Sequence, residues 1–173
     1  MKAKPAIALA TAALTLSLSA CGSETMYMIE YAYYATAQEL FSAAETVVVG
    51  TVQQSSAKMI DTATPPAAAD PMAYTVHQVV VASAIKGDVQ VGATIDVAEV
   101  GGRVGGHTYR SNSGILMSDG NTYLMFIKCT PDLLCFLYDP VVSVYQMAPD
   151  GTLKAMDGNW LSVDDVAAVT GLG

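Results

Sequence analysis

The sequence predicts a mainly β domain, a small antiparallel barrel or sandwich of about seven strands with a short helix at each end. Three observations carry this expectation. Short β-branched or alternating runs recur along the chain and are punctuated by Gly, Pro, Asn and Asp, the pattern of strands and turns. Capped helical segments occur only near the two ends of the domain. Strands and helices never alternate, which argues against a parallel sheet with crossover helices.

The elements follow in order. Thr36 to Ala44 reads as a short amphipathic helix: Thr36 is the N-cap, Glu39 lies three residues on, and Leu40, Phe41 and Ala44 share a face. Thr46-Val47-Val48-Val49-Gly50-Thr51-Val52 is almost wholly apolar and fits a strand buried on both sides. Gln53 to Pro71 reads as a loop, irregular through Pro65-Pro66 and Pro71. Tyr74 to Ile85 is the strongest strand signal, with Tyr74, Val76 and Val80 on one parity and Val79 and Val81 on the other. His77 and Gln78 interrupt both, and Lys86-Gly87-Asp88 ends it in a turn.

Thr94 to Val100 alternates again, Ile95 and Val97 inward, Thr94 and Asp96 outward. Gly101 to Gly120, rich in Gly, Ser and Asn, reads as one long loop, a place where function often sits. Thr122 to Lys128 and Cys135 to Tyr138 are strands. Val141 to Met147 and Thr152 to Ala155 form a last hairpin around Ala148-Pro149-Asp150-Gly151. Ser162-Val163-Asp164-Asp165 opens a final helix ending before Gly171, with Ser162 as cap and acidic residues in its first turn. Trp160 is expected to be buried where this helix meets the barrel; an exposed Trp would instead be a binding anchor. No repeat period is visible.

The start of the chain carries an address. Lys2 and Lys4 form a positive segment, Ala6 to Leu18 is an apolar run too short for a comfortable membrane span, and Leu18-Ser19-Ala20-Cys21 follows. This resembles the signal peptide and lipobox of bacterial lipoproteins. The resemblance implies cleavage after residue 20 and a diacylglycerol thioether on Cys21. Residues 1–20 are then a leader, 21–35 a lipidated N-terminus and short tether, and 36–173 a single β-rich extracytoplasmic domain. Each buried methylene contributes about 0.8 kcal/mol, so two acyl chains hold a protein firmly where one does not. The expected location is the outer face of the cell membrane, or the periplasm or outer membrane of a two-membrane cell. Gly22 is not the Asp of an inner-membrane retention signal. Residues 22–35 are Tyr- and Met-rich; they either favour the lipid interface or, the favoured reading, pack on the domain.

Charge narrows the partners. The chain has 8 Lys and Arg against 16 Asp and Glu, and loss of the leader removes Lys2 and Lys4. So acidic a surface, without a basic cluster, repels nucleic acid and leaves the lipid as the membrane contact. Cys129 and Cys135 are separated by Thr130-Pro131-Asp132-Leu133-Leu134. Outside the cytoplasm they are expected to close a disulfide across the neck of a hairpin. A redox or metal pair is disfavoured because Cys-x-x-Cys spacing is missing and no His is near.

Motifs for chemistry are weak. Gly101-Gly102-Arg103-Val104-Gly105-Gly106 superficially looks like a phosphate loop but lacks the helix that should follow. Arg103, His107, Tyr109 and Arg110 nevertheless gather cationic and hydrogen-bonding side chains in one segment, which makes them the candidate binding loop. Ser55-Ser56-Ala57-Lys58 has Ser-x-x-Lys spacing without its accompanying elements. A Ser–His–Asp set assembled around His77 or His107 has no motif behind it. Two histidines thirty positions apart make no zinc set, and the methionines read as packing rather than copper ligands. No catalytic residue, metal ligand or cofactor is assigned.

A second resemblance rests on the order of signals. An Ala-Glu dipeptide enters Val47-Val48-Val49-Gly50-Thr51-Val52, then a long strand runs into Ile85-Lys86-Gly87-Asp88. A Gly101-Gly102 loop and Gly120-Asn121-Thr122-Tyr123-Leu124-Met125-Phe126 follow. Over roughly residues 38–156 this is similar to a diffuse group of bacterial exported proteins whose domain resembles tissue inhibitors of metalloproteinases. The resemblance implies a small antiparallel OB-like barrel. It does not imply inhibition, which in that family uses the free amine and carbonyl of an N-terminal cysteine; here Cys21 would be lipidated and lies well upstream of the first strand.

The expectation is therefore a lipid-anchored cell-envelope protein acting as a binding or interaction module for an envelope protein or small ligand. The alternatives are an envelope-acting enzyme without a recognisable motif and a structural or stress-related envelope lipoprotein.

Overall fold

The computed structural model describes residues 23–62, 70–131 and 134–172. Residues 1–20, Cys21 and the Pro-rich stretch 63–69 lie outside the described residues. Among those described there are ten strands and two helices: β1 (Glu24–Tyr27), α1 (Ala37–Ala43), β2 (Thr46–Ile60), β3 (Met72–Lys86), β4 (Thr94–Val100), β5 (Gly102–Val104), β6 (His107–Ser111), β7 (Thr122–Cys129), β8 (Leu134–Leu137), β9 (Val144–Met147), β10 (Leu153–Ala155) and α2 (Val163–Thr170). The expectation of a mainly β barrel or sandwich holds, with ten described strands in place of about seven.

The barrel is a ring of five strands. β2 pairs with β3 and β7, β3 with β4, β4 with β8 and β8 with β7, which closes the circle. All contacts in the ring are antiparallel except the seam between β4 and β8, where Asp96, Val97 and Ala98 face Leu134, Cys135 and Phe136. β9 and β10 extend the sheet outward from β7. β2 curls enough to take part in closure because its register against β3 shifts three times between Val47 and Gln54, as bulges do. Gly50 sits at this bend. A Cβ there would come within 2.4 Å of Val79 Cγ1 and 3.0 Å of Val80 O, so the strands approach too closely for a side chain.

The inward row holds Val48, Val52, Val79, Val81, Ile95, Val97, Tyr123, Met125, Ile127 and Leu137 in one apolar cluster. Opposite parity on β2 and β7 supplies Val47, Val49, Leu124 and Phe126, which pack under Leu40 of α1 and Val166 of α2. That is why Thr46–Val52 is apolar on both sides. A third, smaller cluster of Tyr74, Val76 and Ala98 lies on β3 and β4. Both helix caps form as expected: Glu39 N donates to Thr36 Oγ1, Asp165 N to Ser162 Oγ, and Gly171 is left-handed at the end of α2. Cys129 and Cys135 are bonded and directly opposite across β7–β8.

Five expectations change. The loop expected from Gln53 begins only after Ile60, because polar Gln53 to Lys58 continue β2 as a ribbon with β3 beyond the barrel. Gly101 to Gly120 is not one loop: β5 and β6 occupy most of its first half, turned by Gly105 and Gly106 at φ of 58° and 84°. Positive φ at both central residues suits a two-residue hairpin. Val141 to Ser143 belong to a turn, and only Val144–Met147 form the strand. The tether contains a strand, β1, which packs on the domain as favoured. Trp160 is also displaced from the core: it is 44% exposed, stacks on Tyr33 at 5.5 Å, and donates to Tyr34 O.

Candidate functional site

β1, β6 and β5 form a separate three-stranded sheet with β1 running parallel to β6. It rests on the ribbon end of β2 and β3. Gly101 N donates to Ala73 O at 2.8 Å, Thr75 Oγ1 donates to Gly101 O at 2.9 Å, and Ala73 N donates to the Tyr27 hydroxyl at 3.3 Å. Gly102 has φ of 131°, and its missing Cβ would strike Thr75 Oγ1 at 2.6 Å and Ala57 Cβ at 2.8 Å. Glycine is needed there for both reasons.

This sheet collects the candidate binding residues, but around the chain's own N-terminal arm. The His107 ring lies between two hydroxyls of the arm: Ser23 Oγ meets Nδ1 and Thr25 Oγ1 meets Nε2 at 2.8 Å. A hydroxyl can donate or accept, so either neutral tautomer satisfies both contacts. Tyr109 stacks on Tyr27 at 5.7 Å. Arg110 pairs with Glu24 in the open. Asn112 fastens the next turn of chain, accepting from Ile29 N at 3.1 Å and donating to Ile29 O at 3.0 Å. Arg103 is exposed and makes no ion pair with another described residue.

The arm alternates strictly from Glu24 to Tyr31. Thr25, Tyr27, Ile29 and Tyr31 turn inward; Glu24, Met26, Met28 and Glu30 turn out. Register places Glu24 beside Thr108, Met26 beside Arg110, and Thr108 beside Arg103. Residues side by side in a sheet share a face. The outer face thus carries Glu24, Met26, Thr108, Arg103 and Arg110, with Met28 and Glu30 following along the arm.

A second constellation was not foreseen as a unit. On the inward parity of β3 and β4, the apolar rows end in His77 and Glu99, whose side chains are 1% and 0% exposed and whose Nε2 and Oε2 lie 2.8 Å apart. Ser55 Oγ is 2.7 Å from His77 Nδ1 and also donates to Asp119 Oδ1. Glu99 accepts from Leu116 N at 3.0 Å and Met117 N at 3.1 Å. The inward rows themselves held the signal: Val81, Val79, His77 on one strand and Ile95, Val97, Glu99 on the next.

Its chemistry follows from counting protons. With the Ser55 proton on Asp119, Nδ1 must donate to Ser55. Nε2 lies 2.8 Å from Glu99 Oε2 but makes no hydrogen bond to it. A nucleophilic serine needs its own proton aimed at the imidazole, and here Asp119 competes for it. The arrangement holds the 115–121 segment over the end of the barrel.

Elsewhere, an open cleft of about 540 Å³ is lined by Glu45, Thr46, Gly87, Asp88, Val89, Gln90 and Ala93, and it gathers no nucleophile and base. Among the described residues no group of three or more His, Cys, Asp or Glu is arranged to hold a metal ion. None of the helices among the described residues is long and apolar enough to cross a membrane. Comparison with protein family models, curated proteins and solved structures finds no match.

Proposed function

We propose that this chain is a lipid-anchored protein of the cell envelope, attached through Cys21, whose β domain serves as a binding module rather than an enzyme. The support is the leader and lipobox together with one structural observation: the arm from Ser23, two residues after Cys21, is built into the domain. A bilayer anchor at Cys21 would hold the domain against the surface with almost no slack. Lipidation, extracytoplasmic location and the kinship with the exported OB-like group all belong to this reading. So does an envelope protein or small ligand as partner. Nucleic acid does not, given the acidic composition.

Mass spectrometry of protein extracted from its native membrane tests the reading. The expected N-terminus is Cys21 carrying diacylglycerol. An unmodified thiol, or residues 1–20 still attached, overturns it. For partner binding, Arg103 is the informative side chain, because its neighbours already hold the arm. Arg103→Glu should lower recovery of a crosslinked envelope partner about tenfold, the scale of one lost charge-assisted contact. Unchanged recovery would remove the hairpin from the binding surface.

A second reading, an enzyme acting on envelope material, draws on Ser55 beside His77. The geometry described above argues against it. A fluorophosphonate serine probe is therefore expected to leave Ser55 unlabelled; stoichiometric labelling that vanishes in His77→Ala would establish the enzyme instead.

A further inference from the structure

The outer face of the β1–β6–β5 sheet begins two residues after Cys21 and presents two exposed methionines and a guanidinium free of ion pairs among the described residues, and we infer that the domain docks flat on the membrane through it. This rests on the lipid-anchor reading and deepens it by naming the second contact. Only Gly22 separates Cys21 from Ser23 at the start of the arm, two steps of chain with a reach of at most ~7 Å when extended. The His107 corner of the sheet therefore cannot stand away from a bilayer that holds Cys21.

From that corner the arm carries its exposed row. Met26 is 55% exposed and Met28 76% exposed, while the alternate positions Thr25 and Tyr27 are held by His107 and Tyr109. Flexible methionines suit the headgroup–acyl boundary because they fill irregular space without demanding a shape. Arg103 and Arg110 flank the row on the neighbouring strands. Guanidinium groups bind phosphate through paired hydrogen bonds, and Arg103 is free of ion pairs among the described residues.

Arg103 and Arg110 stand on this face beside Glu30 and Glu24, the latter paired with Arg110, so the face is balanced in charge within an acidic chain and Arg103 is its unpaired guanidinium among the described residues. Tethering makes the second contact intramolecular, so a modest attraction suffices to keep the face down. The arm then leads to Tyr33, stacked on Trp160, an exposed aromatic pair of the kind enriched at membrane interfaces.

The chain's single tryptophan makes the test clean. Two variants are prepared in a Trp160→Phe background, Met28→Trp on the arm and Val91→Trp in the turn at the far end of β3. Val91 is 65% exposed, so both positions tolerate a ring at the surface, and circular dichroism confirms that each variant is folded. The full lipoprotein is purified from membranes and reconstituted in vesicles of phosphatidylethanolamine and phosphatidylglycerol, with and without brominated acyl chains. Interfacial side chains sit about 5–10 Å into the headgroup–acyl boundary, so tryptophan at position 28 should lose about half its emission to bromine, and at position 91 almost none. Equal quenching at the two positions, or none at 28 in protein that floats with the vesicles, overturns the docking while leaving the anchor intact. Protein that does not float at all overturns the anchor and the docking together.

Discussion

At the scale of single residues, the costliest position to disturb is His77. It is buried 2.8 Å from Glu99, and removing one partner of so buried a polar pair leaves the other uncompensated. His77→Ala should lower unfolding free energy by about 3–5 kcal/mol in urea titration. Ser55→Ala, which removes a half-buried hydroxyl from the same line, should cost only about 1–2 kcal/mol. A double-mutant cycle over His77 and Glu99 separates their coupling from the cavity left behind. Asp139 gives the pH prediction. Burial raises its pKa above the ordinary carboxylate value, with the Val141 N–H opposing the shift. A raised carboxyl binds its proton more tightly in the folded state, so its ionisation costs stability above the raised value. That cost is relieved as the pH falls through it. Asp139→Asn keeps the acceptor for Val141 and should raise the urea midpoint at neutral pH, the gain shrinking on acidification. Asp150 has the opposite sign. Hydrogen bonds from Thr152 hold its pKa low, so its contribution is present above the ordinary carboxylate value and is lost as the pH falls.

At the scale of elements, the arm is a short strand held largely by side chains. Four residues of strand, the His107 imidazole, a stacked tyrosine pair, the Asn112 bonds to Ile29 and the exposed Arg110–Glu24 pair fix it. His107→Ala should release β1 without unfolding the barrel, read as faster amide exchange at Thr108 and Asn112, whose N–H groups are bonded to Ser23 O and Tyr27 O. The Cys129–Cys135 bridge acts on the other side of the molecule. Reducing it frees only a short loop, a loss of about 2 kcal/mol on the chain-entropy account, and thermal melting with and without reductant checks it. These elements also differ in how visible they are along the chain. Thr36 and Ser162 advertise their helices because a cap is local chemistry. The cysteine pair is legible for the same reason, its partners being six positions apart. β1 is not: Glu24-Thr25-Met26-Tyr27 has no strong strand character and is made a strand by a partner 84 positions away. The β5–β6 hairpin did leave a signal, Gly105-Gly106 between Val104 and His107, outweighed by the glycine-rich look of its surroundings.

For the molecule as a whole, closure of the five-stranded ring follows from the inward and outward parities that the sequence carries openly. Val79 and Val81 go to the barrel interior and Tyr74 and Val76 to its outer side, as strict alternation requires. The site was far less legible. Arg103, His107, Tyr109 and Arg110 stood out as a cluster, but only the fold reveals that three of them grip the N-terminal arm. Polar Gln53 to Lys58 resembled a loop because strand character there comes from pairing with β3 rather than from apolar side chains.

The parallel pairing of β1 with β6 also sets an order of events. On the proposed lipid-anchor reading, a chain exported from its N-terminus would deliver residues 23–27 long before residues 107–111, and an enzyme acting at Cys21 would meet the arm before it has a strand to join. The hairpin would then capture the same residues and turn a processing substrate into a fixed mooring.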